Sequence, residues 1–416
     1  MLIAAKMRFL LAITAFCLSA AGEFARADTP ATTLADGRTG RITFSVAAGN
    51  SELSTLVNRS YDVSDTIWGD LLMPEGVNGV VPAMVISHGS GGVEMLSYAW
   101  AEMFAGMGVA TFVIDHFSGR GKSSDQITVS VTAADGLMAL RLLTTHPRID
   151  ASRIGYIGFS RGGSGALLSG FETMRAAILP NATRFALHLP FYPGGWFTAN
   201  NLTGAPMRVF MGDLDDSTVE QVRAVVDHLR AAGGDVEMTV YPGAYHAFDA
   251  AYAPRWNASA QSSKNCYDCF NIDIDTRIAF DWRTGSPITD LNYLKTCRAL
   301  SGFGTWKGNN ASARSQARQS VWSFVRQQFG LTGLPEAVTL PGDTERILSW
   351  AEFTFRSLLG NRTPMRQAGG YTFRCYATNG ACAGTRDGTV YYYDGVDVKA
   401  VGSISSLLTS ASADGM

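Results

Sequence analysis

Charge of either sign is scarce in this chain: Asp, Glu, Lys and Arg make up 17 % of its 416 residues, and the formal net charge is −2. No polybasic run breaks that balance, so nothing electrostatic favours nucleic acid or an anionic membrane as a partner. Beyond the N-terminal segment no stretch of about twenty apolar residues occurs, and no membrane span is expected. The pair Cys266-x-x-Cys269 stands alone, without a second Cys-x-x-Cys or a suitably spaced His pair, so a zinc site is not expected. No internal repeat is visible.

What is present is core material, with 46 % hydrophobic residues in a chain long enough for one large domain and a smaller one. The first 27 residues have the order of a secretory signal peptide: Lys6 and Arg8, the apolar run Phe9 to Ala21, then Ala25-Arg26-Ala27 as a cleavage site. A secreted or periplasmic location follows as an expectation. Removal of that segment takes Cys17 with it and leaves Cys266, Cys269, Cys297, Cys375 and Cys382, an odd number. In an oxidising compartment a bridge from Cys266 or Cys269 to Cys297 is the preferred pairing.

From Arg41 to about Gly330, short apolar strands alternate with helical segments. Strands are expected at Pro82 to Ser87, Ala110 to Asp115, Arg153 to Phe159, Met207 to Met211 and Val236 to Val240. Helices are expected at Tyr98 to Met107, Val131 to Leu143, Val219 to Leu229 and Ala313 to Phe329. That alternation predicts βαβ units and a mainly parallel sheet. Between Pro254 and Ala311 periodicity weakens, and the segment reads as a long excursion tied down by a disulfide.

Residues 331–344 suit a linker, and residues 345–416 a small α+β domain. In it an amphipathic helix is expected over Glu345 to Leu359, then strands at Tyr371 to Tyr376 and Gly388 to Tyr393. Thr378-Asn379-Gly380 is a hairpin turn signal, and a loop from Ala377 to Gly380 sets Cys375 opposite Cys382 as a predicted bonded pair.

Gly158-Phe159-Ser160-Arg161-Gly162 fits G-x-S-x-G, a weak pattern by itself in a chain with 44 glycines. Here a strand precedes it and a Gly/Ala-rich helix start follows. The chemistry needs that context, because a tight strand-to-helix turn exposes the serine Oγ and the helix N-terminus favours an oxyanion. A serine hydroxyl needs a base. Among the six histidines, His246 lies in the loop after the last core strand. The loop after the preceding strand offers Asp213, Asp215 and Asp216 as the acid. Ser, Asp, His is the chain order of the α/β-hydrolase fold. His88-Gly89-Ser90-Gly91-Gly92, after an early strand, is the expected source of a second oxyanion donor: the N–H of Ser90 or Gly91, beside that of Arg161. His88 is expected to order this loop. His116, His146, His188 and His228 read as structural.

These residues resemble the dienelactone hydrolase family of α/β hydrolases. The resemblance covers roughly Asp62 to Phe329 and rests on five segments: Pro82 to Gly92, Asp115 to Gly121, His146 to Asp150 leading to Ser160, Gly212 to Asp216, and Tyr241 to His246. The family pattern selects the first Asp of the Asp-Asp pair, which is Asp215, with Asp213 and Asp216 as fallbacks. The namesake enzymes carry a cysteine nucleophile where this chain has Ser160, which shifts the expectation from dienelactones to carboxylic esters generally. The tail from Glu345 to about Leu408 resembles a small accessory domain of some secreted bacterial proteins.

The resulting expectation is a Ser160–His246–Asp215 ester hydrolase that uses no cofactor or metal and acts on a small-molecule or polymeric ester. Tyr192, Trp196, Phe197 and Tyr252 are candidates for an aromatic wall beside the site. A prolyl-oligopeptidase-type peptidase shares the nucleophile turn but normally carries a large N-terminal β domain, which this chain lacks. A non-catalytic binding protein on the same scaffold is the remaining alternative, and its mark is a missing triad member.

Overall fold

The computed structural model describes residues 29–74, 76–179, 181–215, 219–250, 252–261, 270–289, 303–334, 366–368, 371–375, 381–393 and 398–403. The signal-peptide segment, Asp216, Cys266, Cys269, Cys297, the helix expected over Glu345 to Leu359 and most of the expected linker lie outside the described residues. The chain forms two compact units, Met1–Pro30 and Ala31–Met416, and everything below concerns the second.

An eight-stranded sheet organises this unit, in the order β1-β2-β4-β3-β5-β6-β8-β9. Its strands are β1 (Gly40–Val46), β2 (Asp65–Leu72), β3 (Val81–Ser87), β4 (Ala110–Asp115), β5 (Ile149–Phe159), β6 (Leu187–Phe191), β8 (Met207–Gly212) and β9 (Val236–Tyr241). The pairs β1–β2 and β2–β4 are antiparallel, and every pairing from β4 through β9 is parallel. This is the α/β-hydrolase fold. β3 and β4 are buried at every position, as apolar runs covered by helices on both faces must be. Edge strand β1 alternates buried and half-buried residues instead.

The flanking helices are α1 (Leu53–Val57), α2 (Met95–Gly106), α3 (Val129–Leu143), α4 (Arg161–Leu168), α5 (Glu172–Ile178), α6 (Val219–Ala231) and α7 (Ala311–Gln328). α6 buries Val219, Val222, Val225, Val226 and Leu229, one apolar stripe at helical spacing. Parallel strands gather their C-terminal ends along one edge of the sheet, where ligands of such folds bind. The loops after β3, β5, β8 and β9 carry His88 to Gly92, Ser160, Asp215 and His246, so all four converge there.

The segment read as a long excursion with weak periodicity contains short strands among its described residues. It contributes β10 (Arg255–Gln261), β11 (Asn271–Asp273), β12 (Ile278–Phe280) and β13 (Phe303–Lys307). β10 and β13 form a ribbon with Trp256 opposite Trp306, and β11 pairs in parallel with the two-residue β7 (Phe197–Thr198). β11 and β12 are only 3 residues each, and β10 and β11 find β13 and β7 far along the chain, so little local alternation marks them.

At the C-terminal end, β14 (Arg366–Ala368), β15 (Tyr371–Cys375), β16 (Cys382–Arg386), β17 (Thr389–Tyr393) and β18 (Val398–Ser403) make a five-stranded antiparallel meander. Cys375 and Cys382 stand opposite each other in its ladder and are disulfide-bonded. Arg374 forms an ion pair with Glu102 of α2 at 3.6 Å.

Candidate active site

The turn from β5 into α4 bends sharply at Ser160, whose φ of 53° and ψ of −112° lie outside the helical and extended regions. Such backbone costs about 1–3 kcal/mol and persists only where surroundings enforce it. Here the Ser160 N–H donates to the Phe191 carbonyl at 3.0 Å, and the Ser160 carbonyl accepts from the Ser164 N–H at 2.9 Å. Both flanking glycines serve close approach. A Cβ on Gly158 would lie 2.0 Å from the Gly162 carbonyl oxygen, and one on Gly162 would lie 2.4 Å from that of Ser87.

The loops after β8 and β9 are stitched together. Leu214 N–H donates to the Ala244 carbonyl at 3.0 Å, and the Ala244 N–H donates to Asp213 Oδ1 at 3.2 Å. Asp213 is thereby engaged with the loop backbone. The next carboxylate, Asp215, lies against His246: Nδ1 is 3.0 and 2.9 Å from its Oδ1 and Oδ2. On its other side, His246 Nε2 is 2.9 Å from Ser160 Oγ. A carboxylate only accepts, so Nδ1 carries the imidazole proton and Nε2 is left to accept from the Ser160 hydroxyl. The Asp215 side chain is fully buried, while the His246 side chain remains 19 % exposed.

The imidazole is also packed from the side. The Tyr192 ring meets it edge-on at 4.7 Å, and Tyr192 holds a φ of 36°. Its hydroxyl donates to Asp249 Oδ1 at 2.7 Å, and Trp100 Nε1–H donates to Asp249 Oδ2 at 2.8 Å. Burial raises the Asp249 carboxyl above its ordinary value, against the lowering effect of these two hydrogen bonds. Asp249 is a site residue that sequence patterns missed. Its one signal was a carboxylate within an otherwise apolar run three residues after His246.

The Arg161 side chain holds the neighbouring loops. Its Nη1 and Nη2 donate to the carbonyls of Ile127 and Ser124, each at 2.8 Å, and its Nε to Ser90 Oγ at 3.3 Å. Its backbone N–H opens α4, where N–H groups lack intrahelical partners. Gly91 sits within a turn closed by the Gly92 N–H and the Gly89 carbonyl at 3.2 Å.

His88 orders that loop through a determined tautomer. Its Nε2 accepts from the His116 N–H at 3.0 Å, so Nδ1 bears the proton and donates to the Gly89 carbonyl at 2.6 Å. A trans peptide points its N–H opposite to its C=O. Holding the Gly89 carbonyl toward the buried imidazole therefore turns the Ser90 N–H the other way. Burial first, and the neighbouring His116 next, push the His88 pKa down to about 3.

Of the candidates Tyr192, Trp196, Phe197 and Tyr252, Tyr192 lies against the His246 ring, and all four pack into the loops rather than line an open wall. Tyr192, Phe197 and Tyr252 are buried and Trp196 packs partly buried against the core, because their loops are drawn into the β7–β11 sheet and the Asp249 network. Instead, the β10–β13 ribbon lies along His246, with the Gly308 N–H donating to the His246 carbonyl at 2.9 Å and Lys307 bridged to His246. Lys307 acts electrostatically on Glu94, and burial lowers the lysine pKa and raises that of the glutamate. Trp256 and Trp306, 53 % and 43 % exposed, alternate onto the opposite face of the ribbon. Among the described residues no cluster of His, Cys, Asp and Glu is arranged to hold a metal. No helix among them is long and apolar enough to cross a membrane.

Residues 69–270, which include Ser160, Asp215 and His246, match the model of the dienelactone hydrolase family. They are a dienelactone hydrolase domain. The chain is also similar to the propionate-bound thermophilic esterase Est2 of the planctomycete Thermogutta terrifontis, at 18 % identity, 44 % of this chain, 80 % of that one and a TM-score of 0.36. It is similar to the dienelactone hydrolase-like promiscuous phosphotriesterase P91 from metagenomic libraries as well, at 16 % identity, 70 % of this chain, 100 % of that one and a TM-score of 0.41. No curated protein matches the chain.

Proposed function

We propose that this dienelactone hydrolase-family protein is a secreted or periplasmic serine hydrolase that cleaves carboxylic esters through Ser160, His246 and Asp215. The observation that carries the proposal is the unbroken hydrogen-bonded chain from Ser160 Oγ through His246 to Asp215 at a strained strand-to-helix turn. Ser160 Oγ attacks the ester carbonyl carbon while its proton passes to His246 Nε2. The negative charge moves onto the carbonyl oxygen, held by the backbone N–H of Arg161 and that of Ser90 or Gly91. Collapse of this intermediate expels the alcohol, which takes the proton from Nε2, and leaves an acyl-serine. Water, deprotonated by His246, attacks the acyl carbon, and the acid departs as Ser160 regains its proton. Asp215 keeps the imidazole in the tautomer both steps need.

The test is hydrolysis of p-nitrophenyl acetate and butyrate by the mature chain, Ser160→Ala and His246→Ala. Each variant is expected to lose at least about 10⁴-fold in kcat while remaining folded. A fluorophosphonate probe is expected to label Ser160 in the parent protein alone. Equal activity in parent and variants, or labelling at another residue, refutes the assignment.

A further inference from the structure

Beneath the site lies a second Ser–His–Asp chain. Ser87 Oγ is 2.6 Å from His116 Nε2, and His116 Nδ1 is 2.7 Å from Asp135 Oδ2. All three residues are fully buried, so no acyl group reaches Ser87. Arg120, whose side chain is likewise fully buried, closes the far end with all five of its N–H donors. It pairs with both Asp135 oxygens at 2.8 Å, with Asp65 Oδ2 at 3.0 Å, and with the carbonyls of His116 and Ala47 at 2.8 Å. Burial alone would raise the Asp135 carboxyl, but this guanidinium holds it below its ordinary value. The carboxylate therefore accepts from His116 Nδ1–H, and Ser87 donates to Nε2. The imidazole has no rotational freedom left.

The near end of this chain touches the machinery above it at two points. The backbone N–H of His116, carried by the same clamped residue, donates to His88 Nε2, which fixes the His88 proton on Nδ1 and so its bond to the Gly89 carbonyl. Ser87 meets the nucleophile turn, since a Cβ on Gly162 would lie 2.6 Å from Ser87 Oγ. Gly89 itself abuts the nucleophile, for its added Cβ would be 3.4 Å from that of Ser160.

We infer that His116, clamped between Ser87 and Asp135, is a positioning residue that aims the Ser90 N–H at the oxyanion through His88 and the Gly89 carbonyl. This rests on the serine-hydrolase function proposed above and adds the element that orients one of its donors. Loosening the His116 side chain lets its backbone N–H shift from His88 Nε2, so the His88 ring can take the other tautomer and drop its bond to the Gly89 carbonyl. The Gly92 N–H alone then holds the Gly89–Ser90 peptide. The nucleophile and its base are untouched.

The test is His116→Gln in the full mature chain, assayed with p-nitrophenyl butyrate, a trifluoromethyl ketone and thermal melting. The kcat is expected to fall by about 10- to 100-fold, less than the ~10²–10³ of deleting an oxyanion donor outright. KM is expected to stay within about twofold, and ketone affinity, which reports the oxyanion, to fall by the same factor as kcat/KM. A lower melting temperature with kcat and ketone affinity unchanged overturns the inference and leaves the chain a prop for the fold. If His116→Gln does not fold, Ser87→Ala removes a single oxygen and is expected to lower kcat by about three- to tenfold; an unchanged kcat there overturns the inference equally. Absence of fluorophosphonate labelling at Ser160 in the parent protein is a different failure, that of the serine-hydrolase assignment itself.

Discussion

Gly162→Ala places a methyl group where the nucleophile turn, β3 and the loop after it meet. Its Cβ would lie 2.4 Å from the Ser87 carbonyl oxygen, 2.6 Å from Ser87 Oγ and 2.7 Å from the His88 carbonyl oxygen. Ordinary contact is about 3.5 Å. The backbone at Ser87 and His88 must therefore retreat by about 1 Å, and two of the three obstructing atoms are main-chain oxygens that no rotamer change can move. Overpacking of this kind costs about 1–3 kcal/mol. In a domain of this size that corresponds to a fall in melting temperature of about 2–4 °C for each kcal/mol. Activity should suffer more than stability, because the displaced segment leads directly into His88 and the Ser90 loop, and a 1 Å misplacement at a reacting site can cost about 10²-fold. The assay is melting by circular dichroism beside p-nitrophenyl butyrate hydrolysis. Gly106→Ala is the control: nothing lies within 4 Å of its added Cβ, and it is expected to be neutral or slightly stabilising. A Gly162→Ala protein with parental activity and melting temperature would refute the close-approach account of this motif.

Asp215→Asn is expected to lower kcat by about 10³–10⁴-fold through loss of the held tautomer, whereas Asp213→Asn, which touches the Ala244 N–H, should lose less than about tenfold; reversal of that order in kcat/KM would reassign the acid. His88 and His188 remain neutral in the folded protein down to about pH 3 and about pH 4, because burial lowers both from 6.5. The unfolded chain thus binds more protons between those values and 6.5, and each group withdraws about 1.4 kcal/mol of stability per unit as pH falls through that window. Urea unfolding of His188→Asn between pH 6.5 and 4.5 should accordingly show a shallower pH slope than the parent, and equal slopes would refute the assignment. Cys375→Ser opens a loop whose ends are 7 residues apart and should destabilise the C-terminal sheet by about 2–3 kcal/mol, seen as faster amide exchange confined to β15 and β16. Loss of esterase activity in that variant would instead tie the sheet to the site.

The βαβ alternation, the G-x-S-x-G turn and the order Ser, Asp, His were legible in the amino-acid sequence because each is a local signal. Apolar runs such as Val81–Ser87 mark strands covered on both faces, and glycines at fixed offsets mark a turn with no room for side chains. Cys375 opposite Cys382 was legible for the same reason, since a short hairpin sets its own register. The contacts that choose among equivalent residues were decided by tertiary structure. The residues by themselves leave Asp213 and Asp215 open and only the family resemblance favours Asp215; the stitching of the loops after β8 and β9 gives Asp213 to the Ala244 backbone and Asp215 to His246. Chain order already set His246 apart from His116, but only the tertiary structure shows that His116 too stands in a Ser–His–Asp chain, sealed where the His246 side chain is 19 % exposed. The β10–β13 ribbon, Asp249 beneath Tyr192, and the inward turn of Phe197 and Tyr252 depend on pairings across dozens of residues. Such pairings are selected by the packing free energy of the whole domain, which no window of sequence contains.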